Sequence, residues 1–261
     1  MKYILRDDSL TVYTQGQAIT VPTTHPNYAV ILDIIINGGP VDEVISLADT
    51  VKAISDYCGD DIQIINERFY YHGEEIHNSL TKKIFRMMDE GWNIQPLLNF
   101  FIRLKKNPSI TAQTELFDFL EAGDLPITED GCFLAYKSVR MNYTDIHSGK
   151  IDNSVGKVIT MPRNNVCADR TITCSTGLHF AQKSYAVSFG GSNSRLMIMK
   201  IDPADVVSIP IDYNNKKGRC CKYEVFDEIT TYDCIDESAV YRKSKDQEIV
   251  PDLTLRPSDY V

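Results

Sequence analysis

The sequence predicts an α+β chain, on three observations. Short alternating runs open it, a helical period takes over from Ser79, and strand-like runs dominate after Gly123. Lys2-Tyr-Ile-Leu, Leu10-Thr-Val-Tyr and Ala18-Ile-Thr-Val read as three strands, separated by turns at Asp7-Asp-Ser and Gln15-Gly. A helix begins near Pro26, where proline suits the first helical position, and ends at Gly38-Gly39. Val41 to Asp49 and Val51 to Tyr57 form two more short helices, and Ile62–Ile65 with Arg68–Tyr71 form a hairpin across Asn66-Glu67, closed by His72-Gly73.

From Ser79, Leu80, Ile84, Met87 and Met88 share one helical face until Gly91. Pro96 to Lys105 is the next helix, with Leu97, Leu98, Phe101 and Leu104 inward. After the break Asn107-Pro-Ser, Ser109 caps a helix reaching Leu120. These three helices are expected to form a small bundle-like unit, with an apolar surface patch around Met87 to Phe101. Asp124-Leu-Pro-Ile-Thr-Glu-Asp-Gly131 is a turn-rich connector, beyond which come strands over Cys132–Val139, Val155–Met161, Arg195–Ile201, Val206–Ile211 and Cys220–Phe226, with one helix at Ala181–Phe189. The expected organisation is therefore an N-terminal α+β region with a helical unit (1–123), a strand-rich domain (124–240) and a polar tail (241–261).

The 261 residues can bury a sizeable core, and 43% hydrophobic with 24% charged residues is ordinary for a globular protein. No apolar run is long enough to span a bilayer, and the N-terminus lacks the apolar core of a signal peptide, so a cytoplasmic location is expected. A formal charge of -9 argues against a broad nucleic-acid surface and against direct binding to anionic lipid. Seven cysteines without regular spacing read as reduced thiols.

Cys167, Cys174, His179 and the pair Cys220-Cys221 match no common zinc spacing, so no metal is expected. Cys174 with His179 is a conceivable nucleophile and base, weighed against the commoner buried thiol. His72 and His77 flank a turn and are expected to be exposed. No Walker-type phosphate loop is present; Gly190-Gly-Ser-Asn-Ser reads as a turn between helix and strand.

Several strings together resemble the rIIB proteins of tailed phages: Asn107-Pro-Ser, Leu125-Pro-Ile-Thr-Glu-Asp-Gly-Cys-Phe-Leu-Ala-Tyr-Lys, Asp152-Asn-Ser-Val-Gly-Lys, Met161-Pro-Arg, Cys174-Ser-Thr-Gly-Leu-His, Asp202-Pro-Ala-Asp-Val-Val-Ser-Ile-Pro and Lys222-Tyr-Glu-Val. They run in the family's order over roughly Leu80 to Val225, and the first hundred residues match less clearly. The resemblance implies a phage accessory protein in the cytoplasm of an infected bacterium. It would act with a rIIA-like partner, with a host factor as a further candidate partner, in lysis inhibition and in protecting membrane integrity against prophage exclusion. Membrane association would then be indirect, through the partner.

A second resemblance covers about Cys132 to Asp227. Gly177-Leu-His-Phe-Ala, then Ser184-Tyr-Ala and the strand Leu196-Met-Ile-Met-Lys, resemble the ADP-ribosyltransferase superfamily. That resemblance implies NAD as cofactor, His179 stacking on nicotinamide, Tyr136 and Ser175 holding ribose hydroxyls, and Glu224 stabilising positive charge on the sugar in the transition state. The chain departs from the pattern: Tyr136 stands where that family has a histidine, His179 where it has the stacking aromatic, and Lys137 where it usually has glycine. Two outcomes follow, an active transferase or a transferase-like fold kept for binding alone. Either way, Tyr136, Ser175, His179 and Glu224 are the candidate site residues.

Overall fold

The structure, a computed structural model, describes residues 2–14, 18–25, 27–49, 54, 61–66, 68–90, 92–211 and 216–229. The expected helix at Val51 to Tyr57, apart from Ile54, and the tail from Tyr241 lie outside the described residues, as do the turn at Gln15-Gly16 and Pro26. Helices and antiparallel sheets occur together without a parallel βαβ unit among the described elements, so the class is α+β. The chain divides into two compact units, one through Ile94 and one from Gln95.

In the first unit, strands β1 (Lys2–Leu5), β2 (Ser9–Tyr13) and β3 (Ala18–Pro22) form an antiparallel meander. Leu10, Val12 and Val21 pack against Ile31 and Ile35 of α1 (Tyr28–Ile36) and Val44 of α2 (Val41–Leu47). A second small sheet holds β4 (Ile62–Ile65), β5 (Arg68–Tyr71) and β6 (Glu74–Glu75), the last a strand that the sequence reading missed. His72 and Gly73, both with positive φ, make the two-residue turn into β6. Helix α3 (Ser79–Asp89) starts at a reciprocal cap: Asn78 Oδ1 accepts from the Thr81 amide at 2.9 Å, and Thr81 Oγ1 accepts from the Asn78 amide at 3.1 Å.

The second unit begins with α4 (Gln95–Lys105) and α5 (Ile110–Ala122). The expected boundary at Gly123 and the expected three-helix bundle are therefore both displaced. Helices α4 and α5 belong with the strands that follow, because their polar groups are satisfied there. Asn107, 1% exposed, donates from Nδ2 to the carbonyls of Pro203 and Val206, each at 2.7 Å, and its Oδ1 accepts from Arg163 at 2.7 Å. Arg163 in turn donates to the Ala204 and Val206 carbonyls. Three of the strings singled out in the sequence thus meet in one structural knot. The inward residues of α4, including Leu97, Leu98, Phe100 and Phe101, are buried, so the apolar patch expected around Met87 to Phe101 is not a surface on α4.

Seven strands form the main sheet of this unit: β7 (Phe133–Arg140), β8 (Val158–Thr160), β9 (Leu178–Ala181), β10 (Ser194–Ile201), β11 (Val206–Ser208), β12 (Lys217–Cys220) and β13 (Lys222–Ile229). Their order is β11-β12-β9-β7-β10-β13-β8, antiparallel throughout. Successive residues alternate between faces. Phe133 of β7 meets Phe180 of β9 edge-on at 5.4 Å, and Phe180 meets Phe119 of α5 at 5.7 Å, which seats that helix on one face. On the other face Ser138 donates to the Ala186 carbonyl of α6 (Lys183–Gly190) at 2.6 Å.

Candidate functional site

The register of this sheet is uneven at its centre. β7 pairs with β10 along its whole length, and β9 pairs with β12 along its whole length. β7 and β9 pair with each other only at Tyr136 and Ala181. The sheet therefore consists of two parts, β11-β12-β9 and β7-β10-β13-β8, joined at one position. A cavity of about 710 Å³ lies along the parting, within the range typical of small-molecule sites.

Tyr136, Lys137 and Ser138 of β7 and Leu178 to Ala181 of β9 border this cavity. Adjacent residues of β7 both reach it because it runs along an edge the partner strand leaves open. Tyr185, Ala186 and Phe189 of α6 add an apolar wall, with the Tyr185 and Phe189 rings nearly parallel and their centroids 6.1 Å apart. Ile146 to Ser148, Ile151 and the loop Thr173 to Gly177 close the remaining sides.

Two lysines, Lys137 and Lys217, stand among the polar groups of the cleft. Lys137 Nζ donates across the parting to the His179 carbonyl at 3.1 Å and lies 5.7 Å over the Tyr223 ring. Lys217 Nζ donates to the Thr173 carbonyl at 2.7 Å and lies 5.8 Å over Tyr185. Burial lowers the Lys137 pKa. Burial first, and then the positive charges of Lys137, Arg219, Lys217 and His147, bring His179 down to about 4, so its imidazole is neutral near pH 7.

Three side chains shape the loops around the cleft. The fully buried Arg219 guanidinium donates to the carbonyls of Cys167, Asp169, Ile172 and Thr173, holding the segment that leads into Cys174-Ser-Thr-Gly. Asp145 accepts from the Ser148 hydroxyl at 2.6 Å and from the amides of Ser148, Lys150 and Ile151. Burial alone would raise the Asp145 pKa, but these donors outweigh it and leave the carboxyl well below the usual carboxylate range. The buried Tyr223 hydroxyl donates to Asn153 at 2.5 Å and ties the end of the same loop to β13.

These shifts set an acid sensitivity. His179 titrates near 6.5 when unfolded and lower when folded, so the unfolded state takes up its proton first as pH falls. Stability should therefore drop between about pH 6.5 and pH 4. Asp145, with a folded pKa below its unfolded one, extends the loss to lower pH. Urea unfolding at pH 7 and pH 4.5 should show this drop, and His179→Gln should flatten it.

Of the residues singled out by sequence, Tyr136, Ser175 and His179 come together on the cavity, and Glu224 does not border it. Along β13 neighbouring side chains point to opposite faces; Tyr223 reaches the cavity, while half-buried Glu224 is paired in register with Lys200 and does not. Cys174 borders the cavity as an exposed free thiol, while Cys132 and Cys220 are buried, and burial raises the Cys132 thiol to about 12. His72 and His77 are exposed. Among the described residues no three His, Cys, Asp or Glu side chains group as metal ligands. Sequence reasoning passed over Lys217 and Arg219, although the basic run Lys216-Lys-Gly-Arg219 in an acidic chain was a signal.

The family model described as Bacteriophage T4 protein rIIB matches residues 5–233. Protein rIIB of Enterobacteria phage T4 is 44% identical over 209 residues, covering 80% of this chain and 67% of that protein. No solved structure matches the chain. The resemblance to ADP-ribosyltransferases accordingly stands on the quoted residues alone. The matched segment takes in every strand of the sheet and all the residues that border the cleft. The chain belongs to the Bacteriophage T4 protein rIIB family.

Proposed function

We propose that the protein acts in the cytoplasm of an infected bacterium, together with a rIIA-like phage partner, to delay lysis and to protect the cell membrane against exclusion by a resident prophage. The observation that carries this reading is the 44% identity to a rIIB protein over 209 residues. No helix among the described residues is long and apolar enough to cross a membrane, which fits a role that reaches the membrane through the partner. An edge is available for such a partner: all four residues of β1 are exposed, and Tyr3, Ile4 and Leu5 give it apolar character. A phage lacking this gene should plate poorly on a host carrying an excluding prophage and normally on one without it. Supplying the full chain in trans should restore plating, and a tagged chain should copurify with the rIIA-like protein. Unchanged plating of the deletion phage on both hosts would refute the reading.

A second reading concerns the cleft: it binds NAD or a related nucleotide without turning it over. It is favoured by the convergence of Tyr136, Ser175 and His179 on one cavity from which Glu224 is absent. Flat rings at Tyr136, His179 and Tyr185 suit a planar base or nicotinamide, and Ser175 suits a ribose hydroxyl. Among the described residues the carboxylate that borders the cavity is Asp145, and the hydrogen bonds it accepts from Ser148, Lys150 and Ile151 suit holding its own loop rather than touching a sugar.

A further inference from the structure

We propose that Lys137, Lys217 and His179 form a phosphate subsite in the cleft, so that its ligand is a nucleotide-sized phosphate ester. The proposal rests on the reading of the cleft as a nucleotide site and names the group that gives the ligand its affinity.

Three observations support it. First, the lining concentrates positive charge in a chain of net charge -9: Lys137 and Lys217 border the cavity with His147 and His179. Second, the Lys137 ammonium is not held by a carboxylate. Lys137 makes no ion pair with a carboxylate among the described residues; its ammonium donates to a backbone carbonyl and faces an aromatic ring. Asp145, an ionised carboxylate that borders the cavity, offsets part of this charge, but its oxygens are held by the Ser148 hydroxyl and the amides of Ser148, Lys150 and Ile151 rather than by Lys137. Burial first, and then Lys137, Arg219, Lys217 and His147, lower the His179 pKa, so these cations stand near its imidazole. Third, the opposite requirement of a nucleotide is met nearby, because the Tyr185 and Phe189 rings wall the cavity and Lys217 touches Tyr185. A ligand with a flat ring at one end and a phosphate at the other satisfies both.

Cavity size selects a small ligand over a nucleic acid. About 710 Å³ accommodates one nucleotide-sized molecule, whereas a polynucleotide needs a basic track along the surface that an acidic chain does not offer. An ammonium bridging two strands at their parting is also a natural place for an anion to act. A phosphate accepting from Lys137 would sit at the parting of β7 from β9.

Calorimetric titration of the full chain with ADP, adenosine and inorganic pyrophosphate tests the proposal. ADP should bind at least about tenfold tighter than adenosine, as expected for one or two charge-assisted hydrogen bonds, and its affinity should fall with added salt. In Lys137→Met that advantage over adenosine should disappear, and Lys137→Arg should recover much of it. Lys217→Met supplies a second variant should the first fail to fold. Pyrophosphate binding as tight as ADP would assign the site to a free phosphate compound and overturn the nucleotide part. Equal affinities for ADP and adenosine, or an ADP affinity untouched by both lysine changes, would overturn the phosphate subsite while leaving a nucleoside cleft. No heat with any of the three at millimolar concentration would overturn the cleft reading itself.

Discussion

Gly131→Ala is expected to destabilise the protein by about 4 kcal/mol, the sum of a left-handed backbone strain and a steric clash in a packed region. Gly131 has φ +80°, a conformation that side chains disfavour. An added Cβ would stand 2.3 Å from the Asn99 carbonyl carbon and 2.5 Å from the Phe100 amide nitrogen, both backbone atoms of α4 that cannot swing away. The surrounding turn is held from the same helix: Asn99 Nδ2 donates to the Glu129 carbonyl at 2.7 Å and Arg103 Nε to the Asp130 carbonyl at 2.6 Å. Asp130 also pairs with Lys200 of β10 at 2.8 Å. Moving the turn to relieve the clash would break all three contacts. Urea unfolding should show a lower midpoint with an unchanged slope, and a wild-type midpoint would refute this packing.

Arg219→Met should cost about 3 kcal/mol and abolish ligand binding in the cleft. The guanidinium is fully buried and stitches the carbonyls of Cys167, Asp169, Ile172 and Thr173, with Ser208 Oγ at 3.4 Å. Methionine keeps the stem's packing but offers no donor, so those carbonyls must find water and the 167–173 segment loosens. Thr173 to Gly177 border the cavity immediately after it. The two substitutions differ in a readable way: Gly131 lies outside the cavity lining and acts on stability, whereas Arg219 acts on stability and on the shape of the cleft. Nucleotide titration of whatever fraction of Arg219→Met stays folded separates these effects.

Much of the fold was legible where the signal is local. Ser109 caps α5, accepting from the Ala112 amide as its position before an apolar helical run suggests. β7 and β10 are apolar, β-rich runs bounded by turns, and both emerged at nearly their expected limits. The failures are long-range. Gly123 ends α5 but does not end a unit, because Asn107 finds its partners nearly a hundred residues later, at Pro203 and Val206. β12 was missed because Lys217-Gly-Arg-Cys has no strand-like pattern; Gly218 is there since an added Cβ would stand 2.2 Å from the Phe180 ring.

The candidate site was legible in part for the same reason. Tyr136 came from one string and Ser175 with His179 from another, and the parting of β7 from β9 gathers them. Which face Glu224 takes depends on its strand's register against β10, with an irregularity at Ile198 and Met199, and a single sequence carries no record of that pairing. Lys137 stood out in the sequence only as a departure from the transferase pattern. In the structure it bridges the two parts of the sheet.

The measurement that bears most directly on the proposed function joins the cleft to the infection. A phage lacking this gene is plated on a host with an excluding prophage, with the full chain or its Lys137→Met variant supplied in trans at equal folded amounts. If the protein acts through its cleft, the full chain restores plating and the variant does not. Equal rescue by both would contradict that, and would place the activity on another surface of the chain.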